Sequence, residues 1–170
     1  PARVQPATVV SSMFLHGSWL HVISNMWFLW IFGDNVEDRV GHRRFVLFYL
    51  LCGTGAALGH VLMEPQSPLP TIGASGAVAG VMGAYIVLHP RATVIAIIPP
   101  LIFLPLPVPA FIVIGIWFLV ELFRGFASLG PDLSSTGGGI AYFAHIGGFV
   151  AGAALVNIFA MNRPRGRRGK

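Results

Sequence analysis

Two residues whose side chains suit nucleophilic catalysis stand far apart in the sequence, each among glycines. Ser75 lies in the run Gly-Ala-Ser-Gly, and His145 lies in the run Ala-His-Ile-Gly-Gly. A neutral imidazole can take the proton of a serine hydroxyl and return it to a leaving amine, which is the chemistry of acyl transfer. The structural alternatives are a small-residue packing motif around the serine and a core histidine bonded to a carbonyl.

A second pair of polar residues could stabilise the negative charge that develops in such a reaction. His21 and Asn25 are four positions apart, so on a helix they lie on one face about one turn apart. Both side chains can donate a hydrogen bond to an oxyanion. Taken alone, such a pair is more often two polar residues that bond to a neighbouring helix.

No carboxylate is expected beside the histidine. Five of the six acidic residues fall in predicted loops, namely Asp34, Glu37, Asp38, Glu64 and Asp132. The sixth, Glu121, lies three residues before Arg124, which favours an ion pair at a helix end. The sequence therefore predicts a Ser–His dyad rather than a Ser–His–Asp triad.

The composition indicates the medium in which these residues act. Of 170 residues, 55% are hydrophobic and 10% are charged, and the mean hydropathy is +0.74. Soluble domains carry roughly 25% charged residues, so the polar groups here are too few to cover a water-soluble globule. The same numbers exclude disorder. The single cysteine, Cys52, excludes a disulfide framework and a cysteine-based zinc site. An all-α polytopic membrane protein is the class that remains.

Five apolar segments are predicted to cross a bilayer as helices, at residues 18–32, 45–63, 73–88, 108–123 and 140–161. The stretch 92–107 is apolar but holds four prolines, so it is predicted to be an interfacial or re-entrant loop. Residues 1–162 are expected to form one transmembrane domain and residues 163–170 a basic cytoplasmic tail. A further helix is expected upstream, because the chain starts at Pro1 on the predicted outer side.

The basic residues predict an orientation, because short cytoplasmic loops are enriched in lysine and arginine. Nine of the eleven share one side if the five helices alternate: Arg39, Arg43, Arg44, Arg91, Arg163, Arg165, Arg167, Arg168 and Lys170. This bias places the C-terminus in the cytoplasm, and it places Ser75, His21 and His145 in the outer part of the bilayer. The basic tail is then a topology signal near anionic lipid rather than a nucleic-acid-binding surface. A bacterial cell membrane is the predicted location.

Taken together, these motifs resemble those of the rhomboid family of intramembrane serine proteases. The matching residues follow the family's order: Phe14-Leu15-His16, His21-x-x-x-Asn25, Gly-Asp-Asn-Val-Glu-Asp-Arg at 33–39, Gly73-Ala74-Ser75-Gly76, and Ala144-His145-Ile146-Gly147-Gly148 with Gly152. The match covers nearly the whole chain. The resemblance implies a rhomboid-like helical bundle with six core helices, of which this chain holds the second to the sixth.

The resemblance also implies a role for each matching residue. Ser75 is the implied nucleophile and His145 the implied base, while His21 and Asn25 form the oxyanion hole with the backbone N–H of Ser75. The implied supporting residues near the site are His16, which shapes the outer loop, Gly73, Gly76, and Gly148, which lets two helices approach.

The resemblance extends to a gate and a substrate class. The fourth span is similar to the family's mobile gate, with Trp117 and Phe118 as its bulky residues or as core packing. The implied substrates are transmembrane proteins, cut within or next to their span where small residues loosen the helix.

The chain departs from the family's pattern at two places. Many members carry a Trp-Arg pair where this chain has Ala7 and Thr8, and many carry an aromatic residue one turn after the nucleophile, where this chain has Ala79. Either the catalytic histidine is held less firmly as a result, or Tyr142 or Phe143 fills the space.

Two other functions are alternatives to a protease. A catalytically inactive rhomboid-like protein would bind transmembrane clients, but such relatives usually lack the serine or the histidine, and both are present here. A transporter using His21, His60 and His145 would show an inverted repeat or matching broken helices, and neither is visible. No cofactor is predicted, and a metal site is not expected because no histidine pair has carboxylate support.

Overall fold

The structure is a computed structural model that describes residues 6–65, 72–96, 105–129 and 142–160. Its elements are α1 (Pro6–Ser12), α2 (Trp19–Val40), α3 (His42–Met63), α4 (Ser75–Leu88), β1 (Thr93–Ala96), β2 (Leu106–Pro109), α5 (Ala110–Ser128) and α6 (Tyr142–Ala160). A long helix lies at each of the five predicted spans, which confirms the predicted helical bundle. The short helix α1 and the two strands were not predicted. The basic tail, Asp132 and the ends of the fifth span at 140 and 161 lie outside the described residues.

Helix α2 continues through the segment that was predicted to be a loop. The prediction of a loop at 33–44 is wrong, because only Gly41 separates α2 from α3. Phe32, Val36 and Val40 are buried along one face of α2, and their packing outweighs the loop-like run of acidic residues between them. Gly41 ends the helix with a φ of 88°, a left-handed conformation that glycine adopts without strain.

In the proline-rich stretch after α4, the described residues 92–96 and 105–109 are non-helical, as predicted, and two short segments of them pair as strands. Strand β1 lies antiparallel to β2, with Thr93 opposite Pro109 and Ile95 opposite Pro107. Prolines cannot donate to a ladder, so they suit the edges of a two-stranded hairpin. The neighbouring prolines Pro99 and Pro100 lie outside the described residues.

Helix α4 lies at the centre of the bundle, and every residue from 76 to 85 is buried. Glycines bring its backbone against α6: a Cβ at Gly148 would overlap the carbonyl oxygen of Gly76, and one at Gly152 would overlap that of Gly80. Contact through backbone atoms is the way that small residues join membrane helices. The two helices that carry Ser75 and His145 are therefore held so close that a side chain has no room at these glycines.

Three helices among the described residues, α3, α5 and α6, are long and apolar enough to cross a membrane. Helix α4 is apolar but has only 14 residues, and it lies within protein rather than in lipid. Large apolar side chains are exposed around the outside of the bundle, including Trp19, Trp30 and Phe123. Exposed apolar side chains in this number fit lipid and not water.

The largest fully buried side chains gather away from Ser75. They come from the end of α2, the beginning of α3, the middle of α4, the beginning of α5 and the end of α6: Val36, Val40, Phe48, Cys52, Val81, Met82, Ile114 and Val156. Tight apolar packing there fixes the relative positions of all five long helices. The other end of the bundle is left free to hold polar groups.

Candidate active site

The structure brings Ser75 and His145 into contact across 70 residues of sequence. Nε2 of His145 lies 2.8 Å from Oγ of Ser75. Ser75 is the first residue of α4, and His145 lies in the first turn of α6. The separation is within the range of a nucleophile and its general base. The close approach of α4 and α6 at Gly76 and Gly148 makes this contact possible.

A carboxylate meets the other nitrogen of the same imidazole. Oε2 of Glu121 lies 2.7 Å from Nδ1 of His145, and Glu121 is only 7% exposed. The prediction that no carboxylate joins the site is therefore wrong. Within the part of the chain that the structure describes, Glu121 pairs with His145 and makes no ion pair with Arg124.

The missed signal was the helical spacing of α5. Ile114, Glu121 and Gly125 are all buried, and separations of seven and four positions place them on one face of a helix. The predicted ion pair at a helix end rests only on the three-residue separation of Glu121 from Arg124. A lone acidic residue on the apolar face of a membrane helix is unfavourable unless it has a partner. The position of Glu121 on that face therefore indicates a partner on a neighbouring helix.

The aromatic side chain that lies beside the imidazole of His145 also belongs to α5. Trp117, one turn before Glu121, has its ring centroid 6.1 Å from that of His145. Phe143 instead packs edge-on against Phe126. A cavity of about 120 Å³ remains beside Ala79, lined also by Trp117 and His145. The expectation that Tyr142 or Phe143 fills this space is not met, because α5 supplies the neighbours of the histidine.

Asn25 presents a buried, unpaired donor close to the same place. It is 6% exposed, and its Nδ2 has no hydrogen-bond partner among the described residues. A buried polar group without a partner costs about 1–3 kcal/mol, and such groups are kept where a ligand or reacting group supplies the partner. His21, Asn25, Ser75 and His145 line one cavity.

Gly73 lets this pair approach the start of α4. Its φ of +115° is in the left-handed range, and a Cβ there would lie 2.7 Å from Cε1 and Nε2 of His21. The same Cβ would lie 3.8 Å from Nδ2 of Asn25. Glycine is therefore required at this position both for its backbone conformation and for space.

His16 and helix α1 hold the segment before the serine. Nε2 of His16 accepts a hydrogen bond from the backbone N–H of Ala74 at 3.5 Å, and its ring lies edge-on to His21 with centroids 5.0 Å apart. The N–H of Gly73 donates to the carbonyl of Ser12 at 2.9 Å. These contacts position the backbone from which Ser75 projects.

The cavity at this site has a volume of about 490 Å³ and mixed polar and apolar walls. Its lining includes the four polar residues His21, Asn25, Ser75 and His145. Glu121, Arg124, Tyr142 and the glycines on either side of Ser75 also line it. Irregular backbone and polar groups are tolerated at membrane depth where protein or water surrounds them. A cavity of this size has room for water and for a short stretch of extended peptide.

His60 does not take part in this arrangement. It is buried in α3, its Nδ1 lacks a partner among the described residues, and it does not line the cavity. The three histidines weighed for a transporter are therefore not brought together. No group of three or more His, Cys, Asp or Glu residues that could hold a metal occurs in the described ranges.

The chain belongs to the rhomboid family, because the family described as the Rhomboid domain matches residues 3–162. It is 44% identical over 71 residues to the chloroplastic Rhomboid-like protein 11 of Arabidopsis thaliana, a match covering 42% of this chain and 25% of that protein. It is 36% identical over 150 residues to the rhomboid protease GluP of Bacillus subtilis, covering 86% and 25%. It is 28% identical over 149 residues to the mitochondrial Rhomboid protein 1 of Saccharomyces cerevisiae, covering 85% and 39%.

Family membership confirms the resemblance carried by the sequence motifs. Together with the apolar helices, it makes this chain a multi-pass membrane protein. The chain spans between a quarter and about two fifths of the length of these three relatives. Their names and sources include a chloroplast, a mitochondrion and a bacterium, so they favour no single membrane for this chain.

Proposed function

We propose that this protein is an intramembrane serine endopeptidase that cleaves transmembrane proteins within or next to their membrane span. The observation that carries the proposal is the 2.8 Å contact between Oγ of Ser75 and Nε2 of His145, made in the wall of a cavity that polar side chains also line. The family supports it, since a relative that matches 86% of this chain is named a rhomboid protease. A hydroxyl and an imidazole in contact can perform acyl transfer without a metal or a cofactor.

In the first step, Oγ of Ser75 attacks the carbonyl carbon of the scissile peptide bond. A C–O bond forms, the serine proton passes to Nε2 of His145, and the carbonyl oxygen becomes an oxyanion. The first N–H groups of α4 have no intrahelical partner and lie at the positive end of the helix. The backbone N–H of Ser75 can therefore stabilise the oxyanion.

His21 and Asn25 supply the other donors to the oxyanion. Nδ2 of Asn25 is already buried and unpaired, so it loses little solvation when the charge appears. Donors that are fixed in advance stabilise a developing charge without the cost of reorganising. The close approach of both side chains to Gly73, two residues before the nucleophile, gives them the required reach.

The intermediate collapses when His145 returns its proton to the leaving nitrogen. The C–N bond breaks, the amine product departs, and an ester to Ser75 remains. Water then attacks the ester carbonyl and gives its proton to Nε2 of His145. That proton returns to Oγ of Ser75 as the acid product leaves, so the enzyme is restored.

The substrate is a transmembrane helix that enters the cavity sideways from the bilayer. Backbone carbonyls in a helix are bonded internally, so the substrate must unwind locally before Ser75 can reach one. Glycine favours such unwinding, since it has a low helix propensity. We also propose that the cavity opens to the outer face and that the C-terminus is cytoplasmic, as the arginine distribution predicts. The bacterial cell membrane is the proposed location.

The test is cleavage of a fluorescent single-span reporter whose span has a glycine-rich outer third, together with labelling by a fluorophosphonate probe. Purified protein in detergent should cleave the reporter and become labelled, and both activities should be lost in Ser75→Ala and in His145→Ala. Ser11→Ala is the control, because this serine on α1 is exposed and its hydroxyl donates to the carbonyl of Thr8 in the same helix. Absence of labelling in folded protein would instead favour the inactive relative that binds transmembrane clients.

A further inference from the structure

We infer that Glu121 is a positioning residue for the reaction, which holds His145 in the tautomer and orientation that proton transfer requires. This inference rests on the proposed function, since it assigns Glu121 a role toward the base of that reaction. The site is then a Ser75–His145–Glu121 triad built from three helices, α4, α6 and α5. It replaces the dyad that the sequence predicted.

Both nitrogens of the imidazole are engaged at short distances. Nε2 faces Oγ of Ser75 at 2.8 Å, and Nδ1 faces Oε2 of Glu121 at 2.7 Å. The second distance is that of a hydrogen bond to a charged acceptor. The ring therefore lies along a line that joins the hydroxyl to the carboxylate.

Of the two partners, only the carboxylate can set which nitrogen carries the proton. A serine hydroxyl can donate or accept, so contact with Ser75 is compatible with either tautomer. An ionised carboxylate only accepts. Glu121 therefore requires the proton on Nδ1, which leaves Nε2 free to accept the proton of Ser75.

Burial strengthens the effect of the carboxylate. The side chains of His145 and Glu121 are 16% and 10% exposed. When Ser75 attacks, its proton arrives at Nε2 and the ring becomes an imidazolium, while the Nδ1 proton stays in place. A negative charge in contact with that cation stabilises it, more so where water is largely excluded. No proton is transferred to Glu121 in this step, and no further reactant is needed.

A purely structural role would be to dock α5 against α6. That role needs a hydrogen bond but not a charge, so glutamine in place of glutamate separates the two. The chain offers a matched control, because Glu37 faces Nδ1 of His42 at the same 2.7 Å. That pair is exposed, and its residues lie at the junction of α2 and α3, outside the lining of the cavity.

The experiment measures fluorophosphonate labelling of purified protein in detergent, with the maximal rate constant and the half-saturating probe concentration determined separately. In this reaction Oγ of Ser75 forms a P–O bond, the P–F bond breaks, fluoride leaves and the proton passes to His145. Glu121→Gln should lower the maximal rate constant about 10²- to 10⁴-fold with the half-saturating concentration unchanged. Glu37→Gln should behave as wild type, and Ser75→Ala should not be labelled.

Wild-type rates in Glu121→Gln would overturn the inference while leaving the proposed function intact, provided that Ser75→Ala remains unlabelled. Labelling of Ser75→Ala would instead refute the proposed function. If Glu121→Gln does not fold, ¹⁵N-histidine NMR of the wild type decides. A His145 ring protonated at Nδ1 and bare at Nε2 supports the inference, and the opposite tautomer refutes it. Glu121→Asp, which keeps the charge on a shorter stem, should retain more labelling activity than Glu121→Gln.

Discussion

At the scale of single residues, the buried polar side chains differ in whether they have a hydrogen-bond partner. Few polar side chains are buried among the described residues. They are Asn25, His60 and Glu121, each at most 8% exposed. Glu121 is satisfied by His145, whereas Nδ2 of Asn25 has no partner within the described part of the chain. This difference agrees with their proposed roles. Glu121 holds His145 in the resting enzyme, whereas Asn25 donates to an oxyanion that exists only during the reaction.

Asn25→Ala tests the oxyanion role. The variant should lower kcat for reporter cleavage about 10²- to 10³-fold, the usual effect of removing one oxyanion donor. KM should change little, because the donor acts mainly in the transition state. Full kinetics on the fluorescent reporter provide the check. A rise in KM with an unchanged kcat would show that Asn25 contributes to binding instead.

Gly73→Ala tests the requirement for glycine beside His21. The new methyl group would face both a positive φ and the ring of His21 at 2.7 Å. We expect a loss of about 1–3 kcal/mol in the free energy of unfolding and a loss of reporter cleavage, because His21 must move. Thermal denaturation followed by tryptophan fluorescence measures the first effect. A variant as stable and as active as wild type would contradict this account.

The site was predictable from sequence at the residues whose types carry chemistry by themselves. Ser75, His145, His21 and Asn25 were named from their types and spacing, and all four line one cavity. Glu121 was missed because an acidic residue near an arginine suggests an ion pair within its own helix. The helical spacing of α5 could have placed Glu121 on the buried face, but only the packing of α5 against α6 shows that its partner is His145.

At the scale of elements, the contact between α4 and α6 dominates. The two helices meet through glycines on both sides, so their backbones replace side chains as the packing surface. Membrane helices have little hydrophobic drive to associate in lipid, and close van der Waals contact takes its place. The distance between Ser75 and His145 is thus fixed by residues that have no chemistry of their own.

Gly148→Ala should separate these helices. Its methyl group would overlap the carbonyl oxygen of Gly76, so we expect a loss of about 1–3 kcal/mol in stability and a strong loss of labelling by the fluorophosphonate probe. Gly115→Ala on α5 is the matched control, because a Cβ there meets nothing within 4 Å. The control should be neutral or slightly more stable, since alanine favours helix. Equal behaviour of the two variants would argue against the packing role.

Element boundaries were predictable where apolarity alone determines them. The five long helices lie at the predicted spans, but α2 extends to Val40 through residues expected to form a loop. The local sequence Gly-Asp-Asn favours a turn, and only the burial of Val36 and Val40 against the core shows why the helix persists. The pairing of β1 with β2 likewise depends on contacts between distant residues, which composition does not record.

At the scale of the whole molecule, the bundle has two unlike ends. One end holds the tightly packed apolar core, and the other holds the polar cavity with its loops and the short helix α1. Packing at the first end stabilises the fold without help from the polar residues of the second. This separation allows an unpaired group such as Nδ2 of Asn25 to persist, because the packing of the apolar core offsets its unfavourable free energy.

The proposed orientation can be tested with single cysteines. The native Cys52 is buried, and its replacement by alanine removes background labelling. Pro65→Cys, after α3, should react with a membrane-impermeant maleimide added outside intact cells. Arg91→Cys, after α4, should react only after permeabilisation, because the positive-inside rule places it in the cytoplasm. Both positions are exposed, so a reversed pattern would mean the opposite orientation.

The placement of Glu121 on α5 has a consequence for timing. Ser75 and His145 sit on helices locked by backbone contacts, whereas α5 has most of its apolar side chains facing outward. Any displacement of α5 that widened the cavity would also draw the carboxylate away from Nδ1 of His145. Substrate entry past α5 and attack by Ser75 could then not occur at the same time. While α5 is displaced, His145 lacks its contact with Glu121, and bond cleavage begins only after the helix has returned.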